Sequence, residues 1–536
     1  MFTLTLRDTL TKNLAGLFFF GSAVLMSSTI LRAESARPNI LLCVADDAGL
    51  HAGAYGTDWV STPTMDRLAD HGLLFQRAYT PNSKCGPSRA CILTGRNSWQ
   101  LKEAGNHWAS FPLEFKSVAE VLNENGYHVG YTGKGWLPGK AFDANGKRRD
   151  ILVNQYTDLT LDPPTSGIHI VDYVANFKTF LNDGQSEEPF FFWYGGWEPH
   201  RKYEFQSGRK VGGKSLEDVK WIPEFWPDTD VVRDDILDYV FELEYFDARL
   251  GEMVDELEAR GILDHTIIIV TSDNGMPFPR VKGQTYEYSN HLPLIIYWPE
   301  GIRSAGRSVD EFVSLIDLVP TFLEVAGIEA DRSGMASITG RSLSPILENR
   351  PSEQVRDHVL LGKERHDVGR PNNVGYPTRA IVEGDFLYII NFEPGRWPVG
   401  NPEAGYANTD GGATKTEILE GRTDPSLHHF WQWNFGKRPQ EELYQISEDS
   451  DCLRNLAGYP EFVDKRNKLR LRLLQRLAEE GDPRMAGHGD IFDEYLYMDP
   501  KSTHLYERTM EGVEVRSAWL SPSDFEAGPV GIETLE

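Results

Sequence analysis

Between residues 39 and 275 the chain repeatedly sets a short, unbroken apolar run directly before a polar cluster. "NILLCVADDAG" closes on two aspartates and a glycine, "EPFFFWYGGWEPH" on charged groups and "HTIIIVTSDNG" on Asp-Asn-Gly. Runs without polar alternation mark strands covered on both faces, as in a parallel sheet. Helical periods lie between them. "STPTMDRLADHGLLFQRAYT" predicts a capped helix and then a strand, and "KSVAEVLNENGYHVGYTGKG" a helix, an Asn-Gly turn, a strand and a glycine loop. A long amphipathic helix is predicted in "DDILDYVFELEYFDARLGEMVDELEARGI". Helices alternating with buried strands predict an α/β fold, with a large, mostly parallel sheet flanked by helices and functional groups at the strand C-termini. Four strands end in Asp, Asn, Lys or His, which makes that edge the place to look for chemistry.

"SVDEFVSLIDLVPTFLEVAGI" adds one more helical unit, after which the pattern changes. Short strands ("HVLLGKERH", "TRAIVEGDFLYIINF"), a Gly/Pro/Asn-rich loop over 393–415 and a charged helix, "PEFVDKRNKLRLRLLQRLAEEG", predict a smaller α+β domain with an antiparallel sheet. The expected division is a first domain over 37–350, a second over 351–482 and an irregular acidic extension over 483–536. No repeat or low-complexity tract interrupts it.

The first 33 residues read differently. Arg7 and Lys12 precede the apolar run "LAGLFFFGSAVLMSSTIL", with Ala33 and Ala36 as small-residue cleavage points. That is the pattern of a secretory signal peptide, and it predicts a secreted or periplasmic protein. No other segment is long and apolar enough to span a bilayer. The formal charge of −26 argues against general nucleic-acid binding, so an anionic substrate needs a local basic pocket. The four cysteines, Cys43, Cys85, Cys91 and Cys452, are too few for a disulfide scaffold. Cys43 and Cys91 read as small buried apolar groups.

Asp46 and Asp47 follow one strand, and Asp273 and Asn274 another. Oxygen donors without histidine or thiolate suit a hard cation, Ca²⁺ ahead of Mg²⁺. Either pair alone reads as a strand-end turn; together on one sheet they predict a metal site. In "CGPSRACILTGR", Pro87 opens a helix, Cys85 lies at the positive end of its dipole, and Arg89 follows one turn later. That setting predicts a thiol of lowered pKa and nucleophilic character. Yet no histidine base stands nearby, and a thiolate is a poor ligand for a hard cation. Residue chemistry alone leaves the role of Cys85 open.

The same stretch resembles the signature of the type I sulfatases, C-x-P-S-R followed by T-G-R. The resemblance implies that a maturation enzyme oxidises Cys85 to formylglycine (3-oxoalanine), whose hydrate is both metal ligand and nucleophile. It also implies an alkaline-phosphatase-like sandwich. "NILLCVADDAG" and "TSDNG" are similar to the family's two metal segments, which gives Asp46, Asp47, Asp273 and Asn274. "TGKGW" resembles its sulfate-binding lysine loop, which gives Lys134. "WEPHR" resembles the segment with a histidine near the leaving oxygen, which gives His200, and "VKGQTYE" resembles the later lysine loop, which gives Lys282. Arg89 is the signature arginine. One position departs: Trp136 stands where the family has a histidine, and His107 in "AGNHWASFP" is the candidate to replace it.

"SDNGMPFPRVKG" resembles the heparan N-sulfatase branch of the family. This implies a sulfated glycan substrate, cut at a sulfamate or a sugar O-sulfate. The loop "GKERHDVGRPNNVGYPTRAI" places Arg365, His366, Arg370 and Arg379 as candidate binding groups for uronate carboxylates and neighbouring sulfates. Two alternatives stand: a phosphonate or phosphate monoesterase on the same fold, and a catalytically silent glycan-binding protein.

Overall fold

The strand Asn39–Ala45 is buried at every position. Its side chains alternate between two cores: Ile40, Leu42 and Val44 enter one, and Leu41, Cys43 and Ala45 the other. The neighbouring Thr266–Ser272 repeats the split, with Ile267 and Ile269 on one side and Ile268 and Val270 on the other. This is why these runs show no polar alternation. The computed structural model describes residues 37–185, 188–352, 355–513 and 519–526; the predicted signal segment lies outside them. The described residues from Arg37 on gather into one compact unit, and none of their helices is long and apolar enough to cross a membrane.

The large sheet runs in the order Arg307–Val309, Leu73–Phe75, Leu294–Tyr297, Thr266–Ser272, Asn39–Ala45, Phe190–Gly195 and His128–Gly133. Only Leu294–Tyr297 pairs antiparallel with its neighbours. Helices Cys85–Thr94, Val118–Glu124 and Leu318–Val325 pack into one core, and Tyr173–Asp183 and the 30-residue helix Asp230–Ala259 into the other. The result is a helix–sheet–helix sandwich of the alkaline-phosphatase-like type.

The small sheet is antiparallel throughout, in the order His358–Lys363, Thr378–Glu383, Phe386–Asn391 and Glu441–Gln445. Helix Val463–Glu479 covers it through Leu469, Leu473 and Leu477, spaced four apart on one helical stripe. One predicted cap takes a different form. Helix Pro63–His71 begins after Thr62, but the Thr62 side chain makes no capping bond. The carboxylate of Asp247, on the long helix, accepts from the backbone N–H of Thr64 at 3.0 Å and Met65 at 2.8 Å instead. A partner 183 residues away leaves no local signal.

Candidate active site

Four adjacent parallel strands deliver the predicted groups to one edge: Thr266–Ser272 leads to Asp273, Asn39–Ala45 to Asp46, Phe190–Gly195 to His200 and His128–Gly133 to Lys134. Ligands gather at strand C-termini because the loops there are free to diverge from a rigid frame. Gly133, at φ +71°, turns the chain toward Lys134, and a Cβ there would stand 2.1 Å from the Gly195 carbonyl oxygen. Asp47 itself is held at φ 73°, a conformation that costs free energy outside glycine and clusters at functional sites.

Helix Cys85–Thr94 opens directly on this edge, and all ten of its residues are buried. Cys85 Sγ lies 3.6 Å from Asp46 Oδ1 and 3.7 Å from Asp47 Oδ1. Asp46, Asp47, Cys85 and Asp273 each bring a ligand atom within 4.8 Å of the others. Arg89 Nε donates to Asp273 Oδ2 at 2.7 Å, and its Nη1 donates to the carbonyls of Lys134 at 2.6 Å and Gly135 at 3.0 Å. Lys134 Nζ donates to both oxygens of Asp46, at 2.7 and 2.6 Å. Lys282 Nζ reaches Asp47 Oδ2 and Asp410 Oδ2, each at 2.7 Å. His200 Nε2 is 3.8 Å from Asp47 Oδ2, and its Nδ1 meets the Arg201 carbonyl at 2.5 Å. A carbonyl only accepts, so Nδ1 carries the proton and Nε2 is the uncommitted atom.

Crowding three carboxylates out of water shapes the electrostatics. Burial, with Asp273 and Asp47 adding to it against the pull of Lys134, raises the Asp46 carboxyl to about 7. Burial would raise Asp273 as well, but Arg89 and Lys134 outweigh it and hold that group below the usual carboxylate range. The Cys85 thiol is pushed well up, first by burial; Lys134 and Lys282 oppose that, and Asp46 and Asp273 add to it. This corrects the expectation of a lowered thiol: the helix dipole loses to desolvation and to the acids facing the sulfur. A neutral thiol is a poor nucleophile.

His107 lies beside the helix start. Its Cδ2 is 3.5 Å from where a Cβ would stand on Gly86, and its Nδ1 is 2.8 Å from Asp367 Oδ1. Its Nε2 is buried without a partner among the described residues. Burial, reinforced by Lys84 and Lys282 and opposed by Asp367, lowers its pKa to about 4, so the ring is neutral and Nε2 is a bare acceptor. Lys84 fixes the other Asp367 oxygen at 2.8 Å. Trp136 donates Nε1–H to the Gly86 carbonyl at 2.9 Å and supplies no base.

The small-domain candidates separate. His366 is fully buried, with Nε2 2.7 Å from Asn82 Oδ1 and Nδ1 near Gly283, the residue after Lys282. Arg365 turns its Nη1 to the Asp493 carbonyl at 3.3 Å, while its own carbonyl accepts from His107 N–H at 3.0 Å. It braces the His107 segment through its backbone. Arg379 corrects the expectation of a binding group. It is fully buried, and its guanidinium is committed to Asp482, Glu364 and the carbonyls of Thr378 and Lys363, with no donor left to offer.

Sequence reasoning missed Lys84, Asp367 and Asp410. Lys84 adjoins Cys85 and could have been suspected. Asp410 lies in a glycine-rich loop with no period to place it, yet it holds Lys282 and stands 3.7 Å from Lys84.

A carboxylate cluster facing the first residue of a buried helix, ringed by Arg89, Lys134 and Lys282, suits an enzyme that handles a tetrahedral oxyanion. The chain belongs to the sulfatase family, whose model matches residues 38–328, and it is a hydrolase of sulfate esters or sulfamates. It is 29% identical over 502 residues to human N-sulphoglucosamine sulphohydrolase, across 86% of this chain and 94% of that protein. An ulvan-active sulfatase of Formosa agariphila is 26% identical over 480 residues, across 83% of this chain and 76% of that one. In fold it resembles a structure solved in complex with its substrate D-glucosamine-2-N,6-O-disulfate, with a TM-score of 0.57 at 21% identity over 83% of this chain and 98% of the other. It also resembles the phosphonate monoester hydrolase of Agrobacterium radiobacter, with a TM-score of 0.55 at 19% identity over 84% and 97%.

Proposed function

We propose that this chain is a secreted sulfatase that removes sulfate from a sulfated glycan, using a formylglycine made from Cys85 and a bound Ca²⁺. The observation that carries the reading is the convergence of Asp46, Asp47 and Asp273 on the Cys85 side chain, with Arg89, Lys134 and Lys282 around them. Two of its relatives, N-sulphoglucosamine sulphohydrolase and an ulvan-active sulfatase, carry sulfated sugars in their names, which supports a glycan substrate. Both a sulfamate and a sugar O-sulfate fit a site built to hold a sulfuryl group.

The residues fit a hard cation. The three carboxylates are fully buried, and Asn274 Oδ1 is buried without a hydrogen-bond partner among the described residues, its Nδ2 being engaged by Asp47 and Gly275. An orphaned amide oxygen beside three acids offers an all-oxygen donor set. Asp46, Asp47, Asp273 and Asn274 would hold the ion, with the oxygen that replaces Cys85 Sγ. When bound, the cation and the aldehyde hydrate supply Lewis acidity and the attacking oxygen.

The chain's other groups do the rest. Arg89 and Lys134 neutralise charge on the sulfuryl oxygens. Lys282, steadied by Asp410, faces the leaving atom together with His200 Nε2. The His200 ring is neutral, since burial and Lys282 lower its pKa to about 4. An anionic sulfate beside it raises that value, so the ring gains a proton to hand to the leaving group. His107, oriented by Asp367 and Lys84, takes the proton released at the nucleophile's side and fills the role left open by Trp136. On this reading the missing histidine no longer supports the silent-binder alternative.

The first experiment is the mass of the tryptic peptide containing Cys85, from protein made with its maturation system. Replacing CH₂–SH by CHO lowers the mass by roughly 18 Da. Finding that species, with sulfate release from a panel of sulfated oligosaccharides, supports the proposal. A persistent thiol in such material would sink it.

A further inference from the structure

Behind Lys84 and Lys282 lies a polar cluster that the chemistry above does not use. Lys363 ends the first strand of the small sheet and is 1% exposed. Its Nζ donates to the Pro398 carbonyl at 3.0 Å and to Gln284 Oε1 at 3.4 Å. Arg370, equally buried, donates Nη2 to the same Pro398 oxygen at 2.8 Å, Nε to the Trp397 carbonyl at 2.6 Å and Nη1 to the Val374 carbonyl at 3.4 Å. Two cations therefore share one carbonyl, and among the described residues neither has a carboxylate within ion-pair reach. Other buried cations are paired with carboxylates, Arg89 with Asp273, Arg379 with Asp482 and Lys415 with Asp524, or stand alone among carbonyls as Arg280 does, whereas here two basic groups meet at one oxygen. Burying like charges side by side without a counter-charge is strongly unfavourable.

Two uncommitted atoms of the cluster have hydrogens to give. Gln284 Nε2 and the Tyr376 hydroxyl are buried without partners among the described residues. Lys363 Nζ and the Arg370 guanidinium lie 5.5 and 5.8 Å from the centre of the Tyr376 ring. Buried water satisfies stray donors but brings no counter-charge; burial and the neighbouring Arg370 lower the Lys363 amine well below its usual value, a shift that an anion beside it would reverse. We propose that Lys363, Arg370, Gln284 and Tyr376 hold a compact anion. Two sources share that chemistry: a free halide, and a carboxylate or second sulfate of the substrate. The burial of every member of the cluster favours the free ion. The site bears on the catalytic edge through the chain itself, since Gln284 follows Lys282 by two residues and its carbonyl accepts from the Ser83 hydroxyl, next to Lys84.

The test is to crystallise the intact protein with bromide in place of chloride and to collect data at the bromine absorption edge, with and without a sulfated, uronate-containing disaccharide. An anomalous peak between Lys363 Nζ and Gln284 Nε2 in both crystals identifies a resident halide; a peak lost when the disaccharide is present identifies the substrate's anion. In parallel, thermal melting in chloride is compared with gluconate at constant ionic strength. Halide-dependent stabilisation is expected, with the half-saturating concentration raised at least about tenfold in Lys363→Met. Should that variant fail to fold, Gln284→Glu, which supplies a fixed carboxylate to Lys363, is expected to fold and to lose the halide response. No bromide peak in either crystal, with melting indifferent to the anion, overturns the proposal.

Discussion

Replacing Arg379 by methionine removes the centre of a buried network. In the native protein its Nε and Nη2 grip Asp482 at 2.7 and 3.1 Å, Nη2 also reaches Glu364 at 2.7 Å, and Nη1 holds the Thr378 carbonyl at 2.9 Å. Glu364 keeps a second partner in Arg484, but Asp482 keeps only a backbone N–H, that of Arg484 at 3.0 Å. Stranding one partner of a buried ion pair costs about 3–5 kcal/mol. Unfolding entropy of about 2.1 cal/mol/K per residue, over a unit of about 500 residues, converts that cost into a melting-point drop of roughly 3–5 °C. The assay is paired: melting by calorimetry, and KM on the folded fraction at a temperature well below the transition. The expected result is a lower midpoint with KM unchanged. An unchanged midpoint with a raised KM would restore Arg379 to the substrate and refute the reasoning.

His107→Gln keeps a hydrogen bond to Asp367 and loses the base; kcat should fall by about 10²–10⁴ with KM little changed, and added imidazole should restore part of it. A variant with native kcat removes His107 from the mechanism. Asp247, pushed up to about 6 from 3.8 by burial against the hydrogen bonds of Thr64 and Met65, binds its proton more tightly in the folded state. Stability from this group is therefore full below pH 3.8 and declines as pH rises to about 6. Asp247→Asn should flatten that slope in urea titrations run across the window. A chelator should abolish activity, and returning Ca²⁺ at pH 8 should raise the melting point, because a cation relieves the crowding that lifts Asp46 to about 7. Asp273→Asn should lose that Ca²⁺-induced shift.

Much of the convergence at the candidate edge was legible because it is encoded locally. An apolar run that stops at Asp-Asp or Ser-Asp-Asn announces both a buried strand and the chemistry at its end. The signature around Cys85 is likewise contiguous. What escaped is whatever depends on contacts remote in sequence. Lys282 and Asp410 are 128 residues apart, His107 and Asp367 260 apart, and the cap on helix Pro63–His71 comes from Asp247. Arg379 was misjudged for the same reason: a basic residue in a loop-rich stretch looks available until Asp482, 103 residues on, is seen to hold it. The thiol pKa failed because the dipole is visible in sequence and the burial is not.

The burial of the Cys85 helix also sets an order of events. Cys85 is 2% exposed, in a helix whose every residue is covered. A second protein cannot reach that side chain once the sandwich has closed. On the proposed function, oxidation to the aldehyde would have to be complete while the segment is still an extended chain, so modification and folding would run as a race. A host that folds this protein quickly but modifies it slowly would yield a well-formed, inert population, and slowing folding, for instance by lowering the growth temperature, would raise the active fraction without altering a single residue.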